Sequence, residues 1–487
     1  TYQCAVSSTS SVSESAMNSC ILRQIYQSLT KINQIYCKRQ HHATESIAFE
    51  NQPFSWLFVS NAVGGEYGAQ VNLDLDLENR LLDESAQKLK FNVEARGANI
   101  DVCQLVTDYK KFQLFKKQRA DLAGERDQIL TELKLLNEKS IGSDAGVESP
   151  LQDLQKKLAI VKGKINLQTP YWELEESIMY RCLKLPNDLH ITTPLDKRQI
   201  LREHKGSKDS TENSSHINIA KKFDLIKFST VGPKAYYLKG DLAKAELALT
   251  NKVVKYLKSH NYRFMAGPEF FKSPIIEGCG LDIHNPHEVL TMKEAFKEDV
   301  EPMNHLIGIS PATFVGYVAK TCIGDKVLPL KMFACGRSYQ NSDLPGLYGA
   351  VQSIQAGVFS CVKKDDLELQ FDETVNLIWN FLEPFGLSMR LSQASAKELK
   401  LAEQRRLDVQ ILAPSLKQHV TIASVSDLGD FVSRRLMVKH SLNHADFRPA
   451  PLVQMVSGTA LNITSLLAAW MEHGGINQVI LIALSIA

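Results

Sequence analysis

Excess charge of either sign is missing from this chain: 56 Lys and Arg stand against 54 Asp and Glu, a formal net charge of +2 over 487 residues. Nucleic-acid binding through bulk charge is thereby excluded, and any such surface has to be local. The nine cysteines are scattered and include no Cys-x-x-Cys pair. That excludes a disulfide-dense secreted scaffold and fits a reducing compartment, with thiols buried as small apolar groups. No apolar run is long enough to span a bilayer, and Val479 to Leu484 is a strand-length run suited to a core. There is no P-loop and no internal repeat. Cys279, His284 and His287 lie close together but lack a fourth ligand at metal-site spacing. His440 and His444 lack the central glutamate of a zincin. No metal site is expected.

What is present is ordinary globular composition, 44% hydrophobic and 23% charged, in a length suited to two or three domains. Residues 1–48 stand apart. They are rich in Ser and Thr, hold only Glu14 and Glu45 as acids, and carry Arg23, Lys31, Lys38 and Arg39. Ile21, Leu22, Ile25, Leu29 and Ile32 can share one helix face. This is the profile of a mitochondrial presequence, with a disordered tail as the alternative.

Residues 49–188 read as a helical N-terminal domain. A helix-like pattern runs from Val71 to Arg96 and stops near Gly97. Then Leu105, Tyr109, Phe112, Phe115, Leu122, Ile129, Leu133 and Leu136 recur at three- and four-residue steps, interrupted by Arg119 and Arg126. After the turn-like Gly142 to Gly146, a second seam follows through Leu151, Leu154, Leu158, Val161, Ile165 and Trp172. The pattern predicts helices over 105–139 and 148–184 joined as an antiparallel coiled-coil arm, the first about 50 Å long. Two helices folded into a globular bundle are the alternative. Lys110, Lys111, Lys116, Lys117, Lys156, Lys157, Lys162 and Lys164 decorate the arm. They suit RNA phosphates through counterion release. With Asp108, Asp121, Glu125 and Asp127 among them, they equally suit a solvated face. Leu185-Pro186-Asn187 ends the helical region. Residues 203–216 read as a linker, and an α+β domain follows, the core assigned to 189–487.

Several segments then occur in a telling order: Leu183-Lys184-Leu185-Pro186-Asn187, His216 to Lys221, Gly232 to Gly240, Pro268 with Ile276-Glu277-Gly278-Cys279-Gly280, and Asp430-Phe431-Val432-Ser433-Arg434-Arg435. From Leu73 to Glu472 this order resembles seryl-tRNA synthetase, a class II family. The resemblance implies an α+β fold: a class II aminoacyl-tRNA synthetase-like antiparallel sheet core with an N-terminal coiled-coil arm that meets tRNA. It also implies a dimer, with the interface region around Pro268, Glu277, Gly278, Cys279 and Gly280.

The chemistry departs from that family. Its serine-binding loop, Leu-x-Gly-Thr-Ala/Ser-Glu, becomes Leu306-Ile307-Gly308-Ile309-Ser310-Pro311. Ile309 and Pro311 replace a hydroxyl and a carboxylate with groups that cannot do their work. In the second motif Arg337 is kept, but Tyr339 stands at the glutamate, Gly349 at an arginine and Gly357 at a further glutamate. In the third motif the ATP-facing arginine becomes Ser465. Each lost charge-assisted contact removes about 1.5–3 kcal/mol of binding. A lost transition-state donor costs on the order of 10²–10³ in rate.

The pattern resembles the degenerate insect mitochondrial seryl-tRNA synthetase-like proteins. The expectation is a protein of the mitochondrial matrix that is not an enzyme, with ATP and magnesium binding lost or weak. It would be a binding subunit that dimerises with active mitochondrial seryl-tRNA synthetase and supports tRNA(Ser) binding or stability. The alternatives are a class II ligase of residual or altered specificity and an RNA-binding homodimer without a synthetase partner.

Overall fold

The computed structural model describes residues 55, 57, 75–140, 148–166, 169–206, 214–232, 234–292, 303–441 and 450–474. The presequence-like segment and the turn at 142–146 lie outside the described residues, as do Pro233, His444 and the run from Val479.

The N-terminal part is helical: α1 (Leu77–Leu81), α2 (Asp83–Ala95), α3 (Val102–Ser140), α4 (Glu148–Asn166) and α5 (Thr169–Leu183). Gly97, at φ +67°, ends α2 in the left-handed conformation that glycine adopts freely, and its N–H donates to the Glu94 carbonyl. Asp101 opens α3 by accepting the Gln104 N–H at 2.9 Å. At 39 residues, α3 is roughly 58 Å long.

Near its start, Leu105 and Tyr109 pack with Ile178 and Cys182, and Arg181 donates to Asp108 at 2.8 Å. Further out, Ile129 and Leu133 pack with Val161, beside Leu154 and Leu158. Early α3 thus meets late α5, and late α3 meets α4, which makes the pairing antiparallel. Two details differ from the sequence reading. Two helices, α4 and α5, cover the span read as the second helix, and Pro170, in the first turn of α5, lacks the N–H that a continuous helix needs. Phe115, expected in the seam, is 37% exposed. Arg119, four residues on, makes this stretch polar: burial raises the Glu175 pKa against the pull of Arg119 and Lys116.

Within the core assigned to 189–487, the linker reading of 203–216 is corrected at both ends: Glu203 and His204 complete β1 (Gln199–His204), and His216 opens the next helix. Then come α6 (His216–Lys222), the hairpin β2 (Ile226–Ser229) and β3 (Ala235–Leu238), α7 (Gly240–Ser259), β4 (Arg263–Phe264), β5 (Phe270–Lys272) and α8 (Ser273–Gly278). They are followed by β6 (Leu290–Thr291), β7 (Asn304–Leu306), α9 (Pro311–Val318), β8 (Cys322–Gly324), β9 (Leu330–Tyr339), β10 (Gln352–Val362) and α10 (Leu367–Leu382). The chain continues through β11 (Met389–Gln393), β12 (Arg405–Ala413), β13 (Gln418–Gly429), α11 (Phe431–Leu436), β14 (Lys439–Ser441), β15 (Gln454–Asn462) and α12 (Ile463–Gly474).

Eight strands form one sheet in the order β1-β11-β12-β13-β15-β10-β9-β4. It is antiparallel except at its edge, where β4 runs parallel to β9. Strand alternation sends side chains to two cores. On one face Phe333, Val358 and Val425 pack with Leu249, Trp379 and Trp470 of α7, α10 and α12. On the other, Met332, Ala334 and Phe359 pack with Ile276, Ile309, Phe314 and Phe431.

Candidate functional site

Ile309, set in the sequence reading against the family's threonine, is buried. Its N–H donates to the Arg337 carbonyl at 2.8 Å, while Tyr339 N–H donates to the Ile307 carbonyl, so residues 307–309 extend the end of β9. That pairing drives the Ile309 side chain onto the sheet. A Cβ at Gly357 would lie 2.7 Å from Ile309 Cγ2 and 3.4 Å from Phe314, and one at Gly336 would lie 3.4 Å from Ile309. The volume that a glutamate at 357 would need is therefore filled by isoleucine. Pro311 occupies the first turn of α9, a position that suits its fixed φ and missing N–H. Thr313, not Pro311, serves the loop: its hydroxyl donates to the Gly308 carbonyl at 3.0 Å and accepts the Ser310 N–H at 3.2 Å.

Arg337 is not brought to this place. The β9–β10 register pairs Arg337 with Ile354 and Ala334 with Gly357, so Arg337 and Gly357 point to opposite faces. Arg337 is exposed and donates to Gln352 Oε1 at 3.0 Å. It faces Glu246 of α7, whose carboxyl is pushed up by burial and drawn back by Arg337. Tyr339 donates its hydroxyl to Glu269 Oε2 at 2.8 Å, and burial raises its pKa. Gly349 is more than a position without its arginine. A Cβ there would lie 1.7 Å from the Leu344 carbonyl oxygen, so the backbone has closed over the place a side chain would leave from.

Ser465, on α12, is 2% exposed, and its N–H is capped by Asn462 Oδ1 at 3.1 Å. It lines a cavity of about 510 Å³ together with Ser353, Gln355 and the loop after β9. No lysine or arginine is among the described residues lining it. ATP brings several negative charges, and a lining with His287, His419 and Asp343 but without lysine or arginine offers them no permanent cation.

One organising cluster escaped the sequence reading. His216 and Glu472, both buried, meet at 2.7 Å between Nδ1 and Oε1, and Leu347 N–H donates to His216 Nε2 at 3.0 Å. The imidazole therefore carries its proton on Nδ1. Ser415 also donates to Glu472 at 2.7 Å. Burial works against ionisation of Glu472, yet the hydrogen bonds from His216 and Ser415 hold its carboxyl below the ordinary range. This knot ties the 3₁₀ turn Gly346–Gly349 to the end of α12. His216 and Glu472 lie 256 positions apart, and nothing local in sequence joins them.

The region assigned to a dimer interface divides. Gly278, Cys279 and Gly280 are buried within this chain. A Cβ at Gly278 would strike Leu436 at 2.5 Å, burial pushes the Cys279 thiol up to about 12, and Gly280 has φ +75° against Phe431. The contacts of these three are therefore intramolecular. Glu277 accepts from Ser55 at 2.5 Å, and Pro268 is exposed between the exposed Phe264 and Phe270. Among the described residues no group of three metal-ligating side chains converges: Cys279 is buried while His284 and His287 are exposed.

Of the paired arginines, Arg434 forms ion pairs with Asp430 at 2.9 Å and Asp76 at 3.6 Å. Arg435 is buried with its guanidinium 3.3 Å from the Phe431 ring centroid, its pKa lowered by burial to about 9. On the arm all eight lysines are exposed. Lys111 pairs with Asp108 and Lys156 with Asp153, at 3.8 and 3.7 Å. No described helix is long and apolar enough to cross a membrane.

Residues 296–474 match the tRNA synthetase class II core domain (G, H, P, S and T). The chain is 27% identical to the serine–tRNA synthetase-like protein Slimp of Drosophila melanogaster, over 80% of this chain and 82% of that one. It is 23% identical to the mitochondrial serine–tRNA ligase of Mus musculus, over 90% and 86%. The seryl-tRNA synthetase of Pyrococcus horikoshii, solved in complex with ATP, shares the fold at TM-score 0.68 and 16% identity, covering 82% of this chain and 94% of that one.

Proposed function

We propose that this chain, which has a class II tRNA synthetase core and the fold of seryl-tRNA synthetases, works in mitochondria as a non-catalytic binding subunit. It pairs with an active mitochondrial seryl-tRNA synthetase and supports the binding or stability of tRNA(Ser). The observation that carries the reading is the filled serine position. Ile309 occupies the space over Gly357, so no polar side chain replaces the lost threonine and glutamate there. The closed backbone at Gly349 and the absence of lysine and arginine from the described lining of the cavity beside Ser465 support the loss of ATP and magnesium binding. Similarity to Slimp and to mitochondrial serine–tRNA ligases supports the compartment and the relationship.

A fold kept while its reaction site is filled points to service at a surface. The exposed Phe264 and Phe270 beside Pro268 suit a partner of the same fold. The long helices α3 and α4, acting as a coiled-coil arm, carry the exposed lysines that suit RNA phosphates. Residues 1–48 serve as the transit segment.

The test is serine-dependent ATP–pyrophosphate exchange by the chain alone and mixed with the mitochondrial synthetase, with co-purification of the two. The expected result is no exchange alone, a complex of fixed stoichiometry and altered synthetase activity on mixing. Exchange by the chain alone overturns the non-catalytic reading. A stable homodimer indifferent to the synthetase overturns the partner.

A further inference from the structure

We infer that a small monovalent anion binds where the N-terminal helices meet the core, held by the buried guanidinium of Arg435. The inference is independent of the filled serine position and of the partner.

Arg435, on α11, is 2% exposed. Its Nη1 donates to the Phe431 carbonyl at 3.1 Å, and its guanidinium carbon lies 3.3 Å over the centroid of the Phe431 ring. Its Nη2 is buried and has no hydrogen-bond partner among the described residues. That nitrogen carries two N–H donors, and burying them unmet is costly. Loss of the proton is no escape. Burial lowers the pKa to about 9, so the group is still a cation at neutral pH. A buried cation needs an anion within reach, because its desolvation is otherwise uncompensated.

The neighbouring carboxylates serve other arginines. Arg434 takes Asp430 at 2.9 Å and Asp76 at 3.6 Å, and Arg80 takes Asp188 at 3.4 Å. No carboxylate among the described residues pairs with Arg435. Cys182 of α5 is buried, and burial pushes its thiol up to about 12, so it brings no negative charge. Arg80 of α1, whose Nη2 donates to the Pro186 carbonyl at 2.7 Å, adds a second positive field at Arg435. Like charges on the N-terminal helices and on the core repel, and an anion at Arg435 Nη2 turns that repulsion into attraction. Water could accept from Nη2 but carries no charge. One unmet cation calls for a single negative charge, and full burial favours a small ion such as a halide.

Thermal melts of the full chain in potassium chloride and in potassium gluconate, at equal ionic strength, test this. The expected melting temperature is a few degrees higher in chloride, because an ion that binds the native state stabilises it, while gluconate is too bulky to enter. Arg435→Met removes the buried charge and keeps an apolar chain of similar length, so it is expected to fold and to melt alike in both salts. In wild-type crystals soaked in bromide, an anomalous peak is expected in contact with Arg435 Nη2. Equal wild-type melts in the two salts overturn the inference. So does a chloride effect retained in Arg435→Met, which places the ion elsewhere, and so does the absence of bromide at Arg435.

Discussion

Ile309 and Gly357 are complementary: the isoleucine Cγ2 stands 2.7 Å from where a Cβ on residue 357 would be. The two positions lie apart in the chain, Ile309 in the loop after β7 and Gly357 on β10, and the isoleucine occupies the space over the glycine.

Gly357→Ala is therefore expected to destabilise the fold by about 1–3 kcal/mol through overpacking, and Gly357→Glu by more. Ile309→Ala opens a cavity, costing about 2–5 kcal/mol. The double variant Ile309→Ala/Gly357→Ala is expected to lose less than the sum, with a coupling of about 0.5–3 kcal/mol. Urea unfolding of the four proteins measures this. Strict additivity would mean that the two residues do not share the volume.

The sequence reading sets Gly349 and Ser465 against arginines of seryl-tRNA synthetase, yet the two positions should respond differently to an arginine. Gly349→Arg drives a side chain into the Leu344 carbonyl and is expected to leave little folded protein. Ser465→Arg enters the cavity and is expected to fold. By itself it should not restore pyrophosphate exchange, because Ile309 still fills the serine position. Thermal melts and the exchange assay on both variants check this. Exchange by Ser465→Arg would show that the filled pocket is no barrier.

Acid should weaken the fold through His305. It is fully buried between Ser273 and Thr291, whose hydroxyls lie 2.8 and 3.1 Å from its ring nitrogens. Burial, with a smaller effect of His284, lowers its pKa from 6.5 to about 4. The unfolded chain then binds the proton first, so the stabilisation is complete above pH 6.5 and is lost as pH falls toward 4. Each pKa unit corresponds to about 1.4 kcal/mol. Denaturant midpoints at pH 7, 5.5 and 4.5 should fall in that order, and a His305→Gln variant should show a shallower slope. Equal slopes would remove His305 as a cause.

The buried pair His216–Glu472 should behave as a unit. His216→Ala leaves the buried Glu472 carboxylate without that donor and is expected to cost about 1–3 kcal/mol, while Glu472→Gln keeps an acceptor for the Nδ1–H and is expected to cost less. Their double variant should cost far less than the sum. Unfolding free energies of the cycle measure this, and an additive result would mean that the 2.7 Å contact contributes nothing.

Deleting the charge of Lys110, Lys111, Lys116 and Lys117 together should lower RNA affinity and flatten its salt dependence. Filter binding at several salt concentrations reads the slope. A slope equal to that of the wild type places any RNA contact away from the arm.

Much of this protein was legible in its sequence, because the governing physics is local. Helical periodicity marked α3 and α4, Gly97 marked the end of α2, and alternating apolar runs with ordered motifs marked a class II core. The chemistry on offer at Ile309, Pro311, Gly349, Gly357 and Ser465 was equally plain, since a side chain's chemistry is written in its letter. What filled the vacated space was not legible. Ile309 over Gly357 and the hydrogen bond from His216 to Glu472 join residues far apart in the chain, and the Leu344 carbonyl over Gly349 depends on how the loop between them folds. Register alone put Arg337 on the face away from Gly357, and packing alone turned Gly278, Cys279 and Gly280 inward. Sequence determines which groups a chain can offer; only the folded arrangement decides which of them share a volume, because exclusion and burial act between neighbours in space.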